Sequence, residues 1–233
     1  MSRSAVIHKT SADWKVPPNL RDYEQERAGF SWESVRSELD GLPDGGLNIA
    51  WEAVGRHARG DRAGRVAIRW LGRDGAQRDF TYKELDRLSN RFANGLRRLG
   101  VGKGGRVFLL CGRIPELYVA ALGTLKNGSV LSPLFSAFGP EPIKTRLALG
   151  DGEVLVTTAS LYKRKVAPIR TELPGLKHVL VVAEGGAVPE GTHDFGAMNE
   201  RIRPEQTNIA GSGFDKARNQ FQKGGLARAI GTN

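Results

Sequence analysis

From residue 106 to residue 182 the sequence alternates short apolar runs with amphipathic stretches, and this alternation constrains the fold more than any other feature. Arg106–Cys111 has the length and buried character of a strand. Pro115 follows where a helix can begin, since the N–H that proline lacks would have no partner in the first turn. The helix it opens carries Leu117, Ala120, Ala121 and Leu125. The pattern then predicts a strand at Ser129–Leu131, a helix over Pro142–Leu149, a strand at Val154–Thr157, a helix over Leu161–Leu173 and a strand at Lys177–Val182. Strands joined by helix-length crossovers run parallel. The fold class is therefore α/β, a mostly parallel sheet with helices on both faces. Such sheets bind ligands beyond the carboxyl ends of their strands, which is where a site is to be sought.

The preceding text supports this core. Asn48 is placed to cap a helix whose apolar residues are Ile49, Ala50, Ala53 and Val54. Val66–Trp70 and Gln77–Thr81, separated by a turn at Asp74-Gly75, predict a hairpin. Thr81 with Glu84 forms a capping-box pattern, opening a helix with Leu85, Leu88, Phe92, Leu96 and Leu99 on one side. Gly100 suits the left-handed position that ends it. Residues 1–46, punctuated by Pro17-Pro18, Pro43 and Gly45-Gly46, read as an irregular lead with one short helical pattern between Ser31 and Leu39. Residues 196–233 show isolated apolar positions and no sustained period, and are expected to form a poorly packed tail. The organisation is thus a lead at 1–46, an α/β region at 47–195 and an unmatched tail at 196–233.

Composition narrows the function classes. One cysteine, Cys111, excludes a disulfide framework and a cysteine-based zinc cluster. No apolar run approaches the ~20 residues of a membrane span, and Met1-Ser2-Arg3-Ser4 leads into no apolar core of a secretory signal. A cytoplasmic protein is expected. The formal charge of +10 invites a nucleic-acid reading. However, the basic residues are scattered, Lys163-Arg164-Lys165 and Arg97-Arg98 being the densest groups, with no aromatic ladder between them. Nucleic acid is therefore not expected as a partner.

Several motifs look promising and do not hold. Gly100-Val101-Gly102-Lys103-Gly104-Gly105 satisfies G-x-G-x-x-G, but it joins a helix to a strand, the reverse of a phosphate-binding turn. His8, His57, His178 and His193 are far apart with no metal-ligand spacing, and no metal site is expected. Cys111 ends an apolar strand as a small buried residue rather than a nucleophile.

Longer segments carry more. Arg113-Ile-Pro-Glu-Leu-Tyr, continuing to Lys126-Asn-Gly and Pro133-Leu-Phe-Ser-Ala-Phe138, resembles the "R-x-P-E-L-Y…G-x-x-K-x-G-A…P-L-F-x-x-F" segment of AMP-forming acetyl-CoA synthetases, within the acyl-adenylate-forming enzymes. Phe80-Thr-Tyr-Lys-Glu-Leu85 with Ser89-Asn90-Arg91, Leu47–His57, Arg146–Thr157 and Leu173–Val182 resemble further segments of that family, in its order. The resemblance spans about residues 13 to 195. It implies the partial N-terminal domain of an adenylate-forming enzyme.

The resemblance also implies a chemistry: acetate, or another short carboxylate, and ATP, with magnesium, give the acyl-AMP and pyrophosphate, and the CoA thiol then displaces AMP. The family's phosphate loop, similar to T-S-G-T-T-G-x-P-K-G, does not occur in these 233 residues, nor does its C-terminal lysine domain. The expectation is an N-terminal fragment, inactive alone, with no catalytic residue of its own and no tight binding of ATP, magnesium or CoA. The alternative is a CoA-binding or regulatory module that pairs with a full-length synthetase. The candidate site residues carried over are Phe135, Ser136, Ala137 and Arg146. The loop Phe135–Phe138 aligns with the family segment beside the CoA nucleotide, and Arg146 matches an arginine that contacts CoA phosphates. Core packing of Phe135 and Phe138, and a helix-supporting role for Arg146, stand as the other readings. Ser136-Ala137 replaces glycines common in that loop.

Overall fold

The computed structural model describes residues 14–201, which fall into two compact units, one up to Asp40 and one from Gly41 on. In the first unit, α1 (Tyr23–Gly29) and α2 (Trp32–Ser37) are each opened by a side-chain cap. Asp22 accepts from the Gln25 backbone N–H at 3.0 Å, and Ser31 from that of Ser34 at 3.0 Å. α2 lies inside the helical pattern expected between Ser31 and Leu39, whereas α1 falls in the lead expected to be irregular. The expectations for Met1–Ser4 and His8 lie outside the described residues.

In the second unit, Asn48 caps as expected, its Oδ1 accepting from the Ala50 and Trp51 N–H groups at 3.0 and 3.2 Å. The helix it opens winds as a π-helical segment, Trp51–Gly55, before α3 (Arg56–Arg59). The wider turn shifts the apolar face: Ala50, Trp51 and Val54 are buried, while Ile49 and Ala53, assigned to that face by α-helical spacing, face solvent. Gly55 is required here, because a Cβ would sit 2.6 Å from the Trp51 ring.

β1 (Val66–Leu71) and β2 (Gln77–Thr81) form the expected antiparallel hairpin. α4 (Tyr82–Arg98) opens with the full capping box: Thr81 Oγ1 accepts from Glu84 N at 3.2 Å, and the Glu84 carboxylate accepts from Thr81 N at 2.9 Å. Leu85, Phe92 and Leu96 are buried along it, and Gly100, at φ +78°, turns the chain out.

β3 (Arg106–Leu110), α5 (Pro115–Lys126), β4 (Val130–Pro133), α6 (Pro140–Leu149), β5 (Val154–Thr158), the short α7 (Ala159–Leu161), β6 (His178–Val182) and β7 (His193–Asp194) follow, then α8 (Phe195–Arg201). Among the described residues the main sheet has five parallel strands in the order β4-β3-β5-β6-β7. Period-2 alternation sorts its side chains into two cores. Val107, Leu109, Val154, Val156 and Leu180 pack with Leu85, Phe92, Leu96, Val119 and Phe195 on the α4, α5 and α8 side. Phe108, Leu110, Leu155, Val179 and Val181 pack with Ile143, Leu147, Val166 and Ile169 on the other.

Two expectations change. The predicted helix over 161–173 breaks into α7, a π-helical segment Tyr162–Val166 and a 3-10 segment Ala167–Glu172. Pro168 causes this: it has no N–H to donate, and its ring displaces the carbonyl four residues back. The first residues of the stretch expected to be poorly packed, 196–201, continue α8, and Met198 packs against the first core. Residues beyond Arg201 lie outside the described residues.

Candidate functional site

The chain leaves β3 to form β4 on one side and returns across β3 to form β5 on the other. The crossovers α5 and α6 therefore lie on opposite faces, and the sheet has its topological switch between β3 and β5. The loops at the carboxyl ends of β3, β4 and β5 surround that point.

The loop after β4 carries the residues singled out in the sequence. Leu134 is buried, and its N–H donates to the Leu109 carbonyl at 2.8 Å, tying the loop's root to β3. Phe135 is 65% exposed, so it is no core residue. A turn closes with Phe138 N–H donating to the Phe135 carbonyl at 3.0 Å, and the two rings meet edge to face at 5.6 Å. Phe138 packs partly against the second core. Arg146, exposed on α6, lies over the Phe138 ring at 4.2 Å and donates to the Pro142 carbonyl at 3.1 Å. The structure thus brings Phe135, Ser136, Ala137 and Arg146 together on one rim. Ser136 and Ala137 hold this turn without positive φ, so the missing glycines cost it no backbone strain.

Lys165 was visible in the sequence only as part of a short basic run. Its ammonium donates to the carbonyls of Ser136 at 2.6 Å and Phe138 at 2.7 Å, so one cation fixes both ends of the turn's tip. Glu184 accepts from Ser160 N–H at 2.7 Å and from Ser160 Oγ at 3.2 Å, linking the ends of β5 and β6. Cys111, at the end of β3, is buried with its thiol 3.6 Å from the Val156 carbonyl, and burial pushes its pKa up to about 12. That thiol stays protonated at neutral pH and is a poor nucleophile.

Two further clusters join side chains distant in sequence. Lys126, its side chain 0% exposed, donates to Asp86 Oδ1 at 2.6 Å, the Asp86 carbonyl at 3.1 Å and Asn90 Oδ1 at 2.8 Å, joining α5 to α4. Burial lowers its pKa, and the Asp86 charge opposes that effect. Gly123 permits the close crossing of these helices, since a Cβ there would stand 2.7 Å from both the Phe92 ring and the Ser89 carbonyl. The second cluster joins His178 and His193, far apart in sequence: pairing of β6 with β7 sets their Nδ1 and Nε2 atoms 3.3 Å apart.

Among the described residues there is no helix long and apolar enough to cross a membrane, and no group of three or more His, Cys, Asp or Glu arranged to hold a metal.

Residues 55–214 match the family model described as AMP-binding enzyme. The chain is 39% identical over 201 residues to the acetyl-coenzyme A synthetase of Bacillus subtilis (strain 168), covering 85% of this chain and 34% of that protein. It is 31% identical over 178 residues to the acetyl-coenzyme A synthetase of Gemmatimonas aurantiaca, covering 73% of this chain and 26% of that protein. The solved acyl-CoA synthetase of Brucella canis superposes with a TM-score of 0.70 at 30% identity, over 79% of this chain and 33% of that one. The chain spans about a third or less of the length of these relatives. With the parallel sheet, the capped α4 and the braced β4–α6 loop all within the matched residues, the chain belongs to the AMP-binding enzyme family.

Proposed function

We propose that this chain is the N-terminal portion of an AMP-forming, cytoplasmic acetyl-CoA synthetase, and that these 233 residues do not form acetyl-AMP by themselves. The observation that carries the reading is the 39% identity over 201 residues to a single acetyl-coenzyme A synthetase, about a third of whose length is matched. The phosphate loop that would hold the ATP phosphates is absent from the sequence, and the described carboxylates form no cluster for magnesium. In this reading the role of the chain is architectural: it builds the sheet and the rim on which the rest of an active site is assembled. ATP, magnesium and acetate would be bound chiefly by residues beyond it.

A second reading concerns CoA, and the β4–α6 rim favours it. Phe135, Ser136, Ala137 and Arg146 would border the nucleotide end of CoA, with Phe135 as an exposed aromatic surface and Arg146 as a phosphate partner. Lys165 would hold the loop in shape without touching the ligand.

The test is a chimera in which this chain replaces the matched segment of the Bacillus subtilis enzyme. The reading expects acetate-dependent ATP–pyrophosphate exchange from the chimera. A folded chimera with no exchange would sink it.

A further inference from the structure

We propose that His178 and His193 chelate a borderline divalent cation, Zn²⁺ or Ni²⁺, beside the end of α4. Parallel pairing of Leu180 with His193 and of Val181 with Asp194 brings the two rings together. Their facing nitrogens are 3.3 Å apart, their centroids 5.4 Å apart and their planes tilted by 49°. A tetrahedral ion bound at about 2.0–2.1 Å spaces its ligand nitrogens by about 3.3–3.4 Å, which places two imidazole centroids about 5.2 Å apart. Both spacings thus lie within about 0.2 Å of those of two imidazoles sharing one tetrahedral ion.

Two neighbouring features favour a cation there. The seventeen-residue α4 ends at Arg98, so the negative end of its dipole lies against the pair. A cavity of about 430 Å³ lined by Leu99, Thr192, His193 and Asp194 adjoins it, with room for water in the remaining coordination positions. Arg98 lines the same cavity and Lys177 precedes His178, so the site carries opposing positive charge and has only two protein ligands. It is an open, exchangeable site. Imidazole donors select zinc, nickel or copper over magnesium, so this site is separate in kind from any magnesium chemistry of the family. Binding would clamp the two-residue strand β7, and α8 behind it, onto β6.

The test is calorimetric titration of the untagged full chain with ZnCl₂, NiCl₂ and, as control, MgCl₂. One Zn²⁺ or Ni²⁺ per chain is expected, with no magnesium heat. His193 is exposed, so His193→Gln leaves the core intact; it should weaken zinc binding by about tenfold or more, since losing even an outer-shell partner costs about 10–100-fold. The double variant His8→Gln/His57→Gln, which removes the other two histidines, should bind as the parent does. With Cu²⁺ as a probe, nitrogen couplings from two imidazoles should fall to one in His193→Gln. No zinc or nickel heat up to millimolar concentration would overturn the proposal, as would an affinity unchanged in His193→Gln.

Discussion

Replacing Lys126 by methionine tests how the second unit is held together. The substitution keeps the volume and removes three hydrogen bonds, to Asp86 Oδ1, the Asp86 carbonyl and Asn90 Oδ1. Breaking a buried pair by deleting one partner costs about 3–5 kcal/mol, most of it from the charge left behind. Here the Asp86 side chain is 22% exposed and keeps a bond from Asn90 Nδ2 at 3.1 Å, so water and Asn90 offset part of the loss. The expected cost is therefore at the low end, about 3 kcal/mol. For a chain of this size that lowers the melting temperature by about 6–12 °C. Adding Asp86→Asn removes the stranded charge, so the double variant should be more stable than Lys126→Met alone, with a coupling of about 1–2 kcal/mol in the cycle. Urea unfolding followed by tryptophan fluorescence reads both numbers. A loss below about 1 kcal/mol for Lys126→Met, or additive single effects, would refute the argument that this ion pair is buried and carries the α4–α5 contact.

Other consequences are as direct. Thr81→Ala removes the capping box and should cost about 1 kcal/mol, measured by the same unfolding assay. The backbone N–H and, second, the hydroxyl of Thr81 hold the Glu84 carboxyl below its usual 4.5, so their stabilisation is fully present above that value and is lost as pH falls through the depressed folded pKa; Thr81→Ala removes only the hydroxyl's share and should flatten this acid limb of the stability curve in part. Gly123→Ala forces a Cβ against the Phe92 ring and the Ser89 backbone and should destabilise by about 1–3 kcal/mol by thermal melt. Lys165→Met frees the carbonyls of Ser136 and Phe138 and should speed amide exchange in the 135–138 turn while leaving β5 and β6 protected. If the rim borders CoA, Arg146→Ala weakens CoA binding by calorimetry in the chimera, and an unchanged affinity removes Arg146 from that role.

Much of this molecule was legible because its signals are local. Thr81 and Glu84 lie three residues apart, the α4 face repeats within one helix, and Gly100 ends that helix where the chain must turn left-handed. The parallel orientation of β3, β4, β5 and β6, though not their order, followed from the helix-length crossovers between them. The misses have physical causes of two kinds. Some were local signals underweighted, such as Asp22 capping α1 and Pro168 dividing the helix expected over 161–173. The others depend on chain reversals that no short window contains. Lys165 meets Ser136 across 29 residues, Lys126 meets Asp86 across 40, and His178 meets His193 only because β7 pairs with β6. The candidate rim was found through resemblance to a family, and no periodicity would have selected Phe135 or Arg146.

Acetate-dependent ATP–pyrophosphate exchange by the purified 233-residue chain tests the central claim most directly. The account predicts no exchange above the rate without protein, because the loop that would hold the ATP phosphates is not in this sequence and no carboxylate set for magnesium occurs among the described residues. Sustained exchange that requires acetate and copurifies with this chain would contradict it.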